Sequence, residues 1–408
     1  MTHDEKLRRL EQVEQIGIVA YAACLPISIS GGQIALGVLI AAAVARVALT
    51  RRWTLRAMDV ALGAFLLWTL ITVPFSLDPA LSMQKVGRIW IHLAWFALIS
   101  AATSWVVIRR AMTALMISSA FIGVYGIAQH LFGPAVPRFL VPDVRLWQPT
   151  GGYYHAVGLF DHHLTYGNTL LICIAAGVGF FFTQHGRKRV GVGVALLLTF
   201  SGMIFSYARS VWMAFAALVA AFGYLKGRRV LAVLAGVSLT LGLLAMTVSP
   251  TLRERMGSAF KVGKNIERIY LWKTSVDMAR DHPITGIGPG VYRTVVDEYR
   301  EGYNVHWTTK SHAHNSFLMA AAESGWPAMA LFIGIFAAAI YPLVRYMASS
   351  DGASAGYSMA AAGLAGIVAF ATAGLFQHNF GDSEVAMTFW FFVAAVRRAV
   401  EFNDFSGN

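Results

Sequence analysis

Two histidines in a polar stretch just before an apolar segment are the residues best suited to chemistry. His312 and His314 are followed by a helix-favouring run that ends at Gly325. Ser311 is a suitable N-cap, so the pattern predicts a short helix with His314 in its first turn. The positive end of a helix dipole disfavours imidazolium, and a neutral imidazole there can act as a general base. The alternative is a histidine that anchors the helix at an interface.

Basic residues beside apolar segments form the second group of candidates. Arg209 lies between two such segments, where a charge costs about 2.5–3.5 kcal/mol on insertion scales and therefore indicates function. The alternative for Arg209 is a turn residue that snorkels to the surface. Lys85 and Arg88 suit either an anionic substrate or lipid headgroups, and Arg145 is favoured as structural although it stays among the binding candidates.

Acidic residues near histidines suggest a metal only weakly. Asp161 is followed by His162 and His163, but adjacent residues on a helix point about 100° apart and no second acidic cluster accompanies them. We therefore expect no metal and no cofactor. Asp382, close after Gln377, is a candidate to line the same cavity as the other polar residues. The sequence has no Gly-x-Ser-x-Gly, phosphate-loop or His-Glu-x-x-His motif.

The composition is that of a membrane protein. Hydrophobic residues make up 57% of the 408 residues and charged residues 13%, whereas a soluble domain carries about a quarter. The net charge of +12 falls in short clusters between apolar runs, which excludes a nucleic-acid-binding face. Cys24 and Cys173 both lie in apolar segments, so no disulfide framework is expected.

Apolar segments predict an all-α polytopic protein with about twelve transmembrane helices, since a crossing needs about 20 residues. The first segment is short and contains Pro26, which leaves the count open by one or two. The predicted spans are 16–31, 33–50, 58–75, 89–107, 110–131, 163–183, 190–206, 210–225, 230–249, 325–346, 357–378 and 385–400.

Charge asymmetry predicts the orientation. The short connections on one side carry 18 lysines and arginines, and those on the other side carry 5. Positive charge marks the cytoplasmic face, so both termini are expected in the cytoplasm. The chain then divides into transmembrane helices 1–9 (residues 1–249), a large outer loop (250–324) and transmembrane helices 10–12 with the C-terminus (325–408).

The outer loop is unusually basic for its side of the membrane. Residues 250–313 contain ten lysines and arginines against seven acidic residues, which topology does not explain and an anionic ligand would. An amphipathic helix is predicted over 266–281, with an apolar face of Ile269, Trp272, Val276 and Ala279. Lys264, Arg268 and Ser275 lie towards another face. Lys273 on this helix is a further candidate for binding an anion.

A glycine-rich turn follows that helix at residues 285–292. Three glycines in five residues could cradle a phosphate through backbone N–H groups. The segment lacks the lysine and the preceding strand of a phosphate loop, so a structural turn is the favoured interpretation.

Several of these motifs together resemble a known family. His314-Asn315 with Gly325 nine residues further on is similar to the histidine signature of the O-antigen ligases, which are related to O-antigen polymerases and protein O-oligosaccharyltransferases. Further matches are Ser206-Tyr-Ala-Arg209, Arg268-x-x-x-Trp272 and His282-Pro-x-x-Gly-x-Gly288.

The resemblance implies a membrane-embedded, GT-C-like inverting glycosyltransferase of the bacterial inner membrane with a periplasmic active site. It would transfer a glycan from undecaprenyl pyrophosphate to a sugar hydroxyl of lipid A-core, completing lipopolysaccharide without a metal. His314 would be the general base, and Arg268 and Arg209 would bind the pyrophosphate. Residues assigned to substrate binding are Lys85, Arg88, Arg145, Lys273, His312, Asn315 and Asp382.

Other acceptors and another class remain open. An O-antigen polymerase would join glycan repeats, and a protein glycosyltransferase would modify Ser or Thr. A transporter whose intramembrane charges bind a substrate is the alternative from outside the family. The two halves of the chain differ in their hydropathy, and the large loop lies on one side of the membrane only. Both features disfavour a transporter built from inverted repeats.

Overall fold

The computed structural model describes residues 2–133, 153–257, 266–301, 303 and 312–402. These residues form α-helices and short 3-10 turns without a strand, which confirms the all-α class. The helices are α1 (His3–Cys24), α2 (Ile29–Thr50), α3 (Ala57–Thr72), α4 (Pro79–Val86), α5 (Ala94–Ala101), α6 (Trp105–Phe132), α7 (His163–Thr183), α8 (Gly186–Ile204), α9 (Arg209–Lys226), α10 (Arg228–Val248), α11 (Pro250–Gly257), α12 (Ile266–Asp281), α13 (Tyr292–Val295), α14 (Ser316–Ala348), α15 (Ala355–Gly374) and α16 (Ser383–Phe402).

Among the described helices, 7 are long and apolar enough to cross a bilayer: α2, α3 with its following turn, α6, α7, α10, α14 and α15. The chain is therefore a multi-pass helical membrane protein. Every predicted span overlaps an observed helix, and α7 has the predicted bounds. Twelve crossings exceed the number that helix length and hydropathy establish, so that count stays a prediction.

Several predicted boundaries shift in the structure, and two of the differences have a clear local form. The first helix runs from His3 to Cys24 rather than over 16–31, because Thr2 and Glu5 form a capping box that starts it earlier. The span predicted at 89–107 is a 3-10 helix, Gly87–Leu93, followed by the short α5. Ser104 accepts a hydrogen bond from the N–H of Val107 and so begins a new helix, α6.

The bundle is centred on α7 and α15. In the most apolar stretch of α7, 78% of residues are buried inside the protein, compared with 67% for α15 and 6% for α10. The crossing of α6 and α8 depends on small residues, since a Cβ on Gly202 would stand 2.5 Å from the Cα of Gly123. Because so little of its apolar stretch is buried, α10 lies at the periphery of the described bundle.

The outer loop has a small core of its own. Leu271 and Met278 of α12 pack with Tyr292 of α13 and with Met319 of α14. This cluster is separate from the main core of the bundle. The loop is therefore seated on the first half of α14.

The predicted range of α12 is confirmed, but of its predicted apolar face only Ala279 is buried. Ser275 is buried together with Leu271 and Met278, whereas Ile269 and Trp272 are half-exposed. The Ser275 hydroxyl donates to the Leu271 carbonyl at 2.6 Å, which satisfies its polar group inside the loop core. The buried face is the one that packs against α13 and α14.

The helix α14 is broken at Gly325, where the predicted stop lies. Gly325 has φ +80°, and a Cβ there would stand 2.1 Å from the Ile284 carbonyl oxygen. The N–H of Trp326 donates to the Pro283 carbonyl at 3.0 Å. The loop segment before the glycine-rich turn thus fits into the break.

Candidate active site

His314 lies immediately before α14 rather than in its first turn. The N-cap is Asn315, whose side-chain oxygen accepts from the N–H groups of Phe317 at 2.9 Å and Leu318 at 3.0 Å. The predicted cap, Ser311, falls outside the described residues. His314 itself has φ +49°, in the left-handed region. The prediction that places His314 within the helix is therefore wrong, because the helix is capped at Asn315, four positions after the predicted cap.

Asn315 has a structural task as well as a place in the site. Its side-chain oxygen is occupied by the helix cap. The cap does not use the side-chain nitrogen, and substrate binding by Asn315 stays a prediction. The cap fixes the start of α14 and so positions the neighbouring His314.

The ring of His314 is held by Gln377. Nδ1 of His314 lies 3.1 Å from the Gln377 side-chain oxygen, which can only accept, so Nδ1 carries the proton. Burial lowers the pKa of His314, and the charge of Arg268 lowers it further, while the bond to Gln377 opposes both. A neutral ring with its proton on Nδ1 leaves the Nε2 lone pair available to accept a proton.

His312 lies against His314 and carries its ring proton on the other nitrogen. Their ring centroids are 4.2 Å apart, and the backbone N–H of His314 donates to Nδ1 of His312 at 3.1 Å. Burial lowers the pKa of His312 to about 2, with further contributions from His314, His378 and Arg268. With Nδ1 accepting, the proton of the neutral His312 ring is on Nε2, which makes it a hydrogen-bond donor.

A cavity of about 430 Å³ is lined by His312, while His314, which contacts His312, is not among its described lining residues. It lies between α3, the 3-10 helix Gly87–Leu93, the first half of α14 and the start of α16. Lys85, Arg88 and Arg293 are its basic lining residues, and the neutral His312 and the acidic Glu323 line it as well. Much of the remaining cavity surface is apolar. Its apolar lining residues include Phe65, Ile89, Ile91, Met319, Phe332 and Phe380. One space therefore joins cationic groups to an aromatic and aliphatic surface.

Arg293 also lines this cavity, although in the sequence it is only one of ten basic residues in the outer loop. It belongs to the short α13, directly after the glycine-rich turn. Lys85 and Arg88, which were predicted to bind substrate, lie on the same cavity wall. The contacts of the glycine-rich turn with α14 deliver Arg293 to the cavity, and no local sequence signal distinguishes it from the other loop bases.

The glycine-rich turn is structural. The N–H groups of Ile287 and Gly288 donate to the α14 carbonyls of Ala322 and Glu323, each at 2.9 Å. The N–H of Gly290 donates to the Glu323 carboxylate at 2.8 Å. These amides are therefore engaged with protein and do not face a phosphate. A Cβ on Gly290 would stand 2.3 Å from Cγ of Lys85, so this glycine lets the turn approach the cavity wall.

Arg268 and Lys273 lie on the same helix but have different surroundings. The charge of Arg268 acts on the pKa of both His312 and His314, which places it beside them. Lys273 is exposed, and its Nζ lies 5.2 Å from the ring centroid of Tyr270. Lys273 is not among the residues described as lining the cavity. The structure therefore separates these two candidates.

Arg209 begins α9 at the same end of the bundle. The turn before it brings the Ser206 carbonyl to 2.7 Å from Nδ1 of His163. His162, the preceding residue, contributes to lowering the pKa of His314. The start of α9 thus lies beside the start of α7, and the role of Arg209 in the site stays a prediction.

Asp382 connects two helices of the site. Its Oδ2 accepts from the Thr165 hydroxyl at 2.5 Å, which ties the start of α16 to α7. Its charge raises the pKa of His162 against a larger lowering by burial. Within the described ranges, no three His, Cys, Asp or Glu side chains form a group that could hold a metal ion. Arg145 falls outside the described residues.

Comparisons with known proteins point in one direction. Residues 194–333 match the model of the family described as O-Antigen ligase, a segment that contains Arg209, Arg268 and both site histidines. The exopolysaccharide production protein ExoQ of Rhizobium meliloti (strain 1021) is 23% identical over 302 residues. That alignment covers 71% of this chain and 66% of ExoQ, slightly under two thirds of its length. The resemblance to the O-antigen ligases is therefore confirmed, and it is carried by residues 194–333.

Proposed function

We propose that this protein is a glycosyltransferase that moves a preassembled glycan from undecaprenyl pyrophosphate to a sugar hydroxyl of lipid A-core. The observation that carries the proposal is the cavity in which Lys85, Arg88 and Arg293 lie beside an apolar wall and His312. A lipid pyrophosphate has the same two parts, an anionic head and a hydrocarbon tail. The O-antigen ligase match favours such an enzyme over a transporter.

In this proposal His314 is the general base. Its Nε2 takes the proton of the acceptor hydroxyl as that oxygen attacks the anomeric carbon. The pyrophosphate departs from the opposite face, so the new glycosidic bond has inverted configuration. A positioned base contributes about 10²–10⁴-fold to such a step.

The cations of the site would stabilise the departing pyrophosphate. Guanidinium groups match phosphate oxygens in pairs and keep their charge, so Arg88 and Arg293 suit this task. Arg268 would add charge near the reacting atoms, and Arg209 would contribute from the start of α9. The Nε2–H of His312 would donate to the donor or the acceptor. No metal or other cofactor enters these steps.

The proposed setting is the bacterial inner membrane. The excess of lysine and arginine on the opposite connections supports a periplasmic site and cytoplasmic termini. Membrane lipids would surround the bundle, and no nucleic acid is involved. Lipid A-core would approach the site from the outer leaflet.

Polysaccharide polymerisation is the second candidate. The similarity to ExoQ, whose name refers to exopolysaccharide production, favours a growing glycan as the acceptor. The donor, the base and the cations would be the same in both reactions. The acceptor alone distinguishes them, and a protein hydroxyl would be a third possibility for the same site.

The test is a reconstitution with defined substrates. Purified protein in liposomes receives an undecaprenyl-pyrophosphate glycan together with lipid A-core, a glycan-repeat acceptor or a Ser/Thr peptide. Transfer to lipid A-core supports the ligase, and elongation of the repeat supports the polymerase. The absence of transfer to all three, with folded protein and intact donor, would contradict the proposed activity.

A further inference from the structure

A second cavity, of about 550 Å³, lies at the opposite end of the helices that form the candidate active site. Its wall is formed by the start of α3, the second half of α14 and the end of α16. We call it the arginine cavity, after Arg56, Arg397 and Arg398, which line it together with Glu401. By the charge asymmetry of the connections, this end of the bundle is the predicted cytoplasmic one.

The deeper wall of the arginine cavity is apolar. Met58, Leu343, Ile367, Phe392 and Val396 line it, and all five are buried within the protein. These side chains come from four different helices that surround the same space. A hydrocarbon chain would be a suitable neighbour for this surface.

The outer part of the cavity carries excess positive charge. Nε of Arg56 and a terminal nitrogen of Arg397 lie 3.5 Å and 2.9 Å from the same oxygen of Glu401. Arg398 pairs with the second oxygen of that carboxylate. Among the described lining residues, three guanidinium groups thus share one carboxylate. Two positive charges are left over in a partly enclosed space, where they repel each other.

Asp59 is a buried carboxylate beside this cavity, and it accepts the backbone N–H of Arg56 at 3.0 Å. Asp59 accepts hydrogen bonds from the indole N–H groups of Trp53 at 2.9 Å and Trp95 at 2.6 Å, and it does not line the cavity. Arg398 is also fixed by a bond from Nε to the Ala102 carbonyl at 2.9 Å. Arg56 likewise donates from a terminal nitrogen to the Thr54 carbonyl at 3.0 Å. A guanidinium has five N–H donors, so Arg56 and Arg397 keep further N–H groups with which to meet an additional anion.

We propose that the arginine cavity binds an anionic phospholipid, with its phosphate between Arg56 and Arg397 and an acyl chain along the apolar wall. The planar guanidinium matches phosphate oxygens. Basic pockets between membrane helices on the cytoplasmic side suit anionic headgroups, which are enriched in that leaflet. A soluble phosphate compound would leave the apolar wall unused. The site is independent of the glycan-transfer proposal.

Native mass spectrometry of the full-length protein, with phosphatidylglycerol or phosphatidylcholine added to the detergent, tests the proposal. We expect selective retention of phosphatidylglycerol. The double substitution Arg56→Gln/Arg397→Gln should weaken that binding roughly thirtyfold, since each basic group near a headgroup is worth about a fivefold factor. Arg8→Gln/Arg9→Gln removes the same charge from exposed residues at the same end of the bundle and should have little effect.

A third variant separates lipid binding from a merely structural ion network. Glu401→Gln removes the shared carboxylate, so it should tighten phosphatidylglycerol binding. A structural network would instead lose thermal stability in all cavity variants while lipid retention stays unchanged, and that result would overturn the proposal. Competition by inorganic phosphate at low millimolar concentration would also overturn it, because it would indicate a site for a small anion.

Discussion

The backbone N–H of His314 donates to Nδ1 of His312 across 3.1 Å. This one bond fixes the proton of His312 on Nε2, while Gln377 fixes the proton of His314 on Nδ1. Two neighbouring neutral histidines thus have opposite tautomers. One offers a lone pair and the other offers an N–H, which is the combination needed to take a proton from one group and orient another.

The two histidines are expected to differ when replaced. His314→Ala should lower kcat by about 10²–10⁴ with donor KM little changed, because the proton acceptor is lost. His312→Ala should mainly raise KM, because a contact in the cavity is lost. Steady-state transfer assays in liposomes measure both values. His185→Ala, at an exposed histidine that makes no capping bond, is the matched control. Near-normal turnover by His314→Ala would remove His314 from the role of base.

The pH dependence of transfer should report the environment of His314. Burial holds the pKa of His314 below its ordinary value, so the ring is neutral at pH 7 and the rate should fall only as the solution becomes more acidic than about pH 6.5. Gln377→Glu would place a negative charge at Nδ1 and stabilise imidazolium. The acidic limb of the kcat profile should therefore move to higher pH. An unchanged limb would mean that another group controls it.

Arg293→Gln should weaken use of the donor. Loss of one charged hydrogen bond to phosphate costs about 1.5–3 kcal/mol, so donor KM should rise about tenfold or more. Arg280→Gln and Lys273→Gln are controls from the same loop, since Arg280 is 71% exposed and Lys273 packs on Tyr270. Donor titrations compare the three variants. Equal effects in all three would indicate a diffuse electrostatic contribution rather than a bound phosphate.

Gly288→Ala should destabilise the protein. Gly288 has φ +112°, and a Cβ there would stand 1.8 Å from the Ser76 hydroxyl. The strained backbone and the overpacking each cost about 1–3 kcal/mol. A thermal unfolding assay in detergent should show a lower Tm, with loss of transfer because Arg293 follows the displaced turn. Gly352→Ala, where nothing lies within 4 Å of the added Cβ, should leave Tm unchanged.

Hydropathy predicted much of the fold because membrane helices are selected by length and apolarity. The bounds of α7 and α12 and the break at Gly325 follow from such local signals. The start of α1 did not, because a capping box of Thr2 and Glu5 extends the helix into polar sequence. The division of residues 87–101 into a 3-10 helix and α5 depends on packing that no local pattern encodes.

The sequence indicated which types of residue form the site better than it indicated where those residues lie relative to one another. Lys85 and Arg88 are separated from His312 by more than 200 residues, and only the tertiary fold places them on one cavity wall. The low pKa of His314 was expected from a helix dipole, but burial and Arg268 are its causes. Arg293 could not be distinguished from the other loop bases, because its selection depends on how the glycine-rich turn meets α14.

The junction between the outer loop and Gly325 limits how the enzyme can open. Trp326 donates its N–H to Pro283, and Ile287 and Gly288 donate to carbonyls of α14. Lifting the loop as a hinged lid would strip these partners from backbone groups inside or beside the bilayer, where each unsatisfied group costs several kcal/mol. A lipid-borne donor is therefore expected to slide in sideways from the membrane while the loop stays seated.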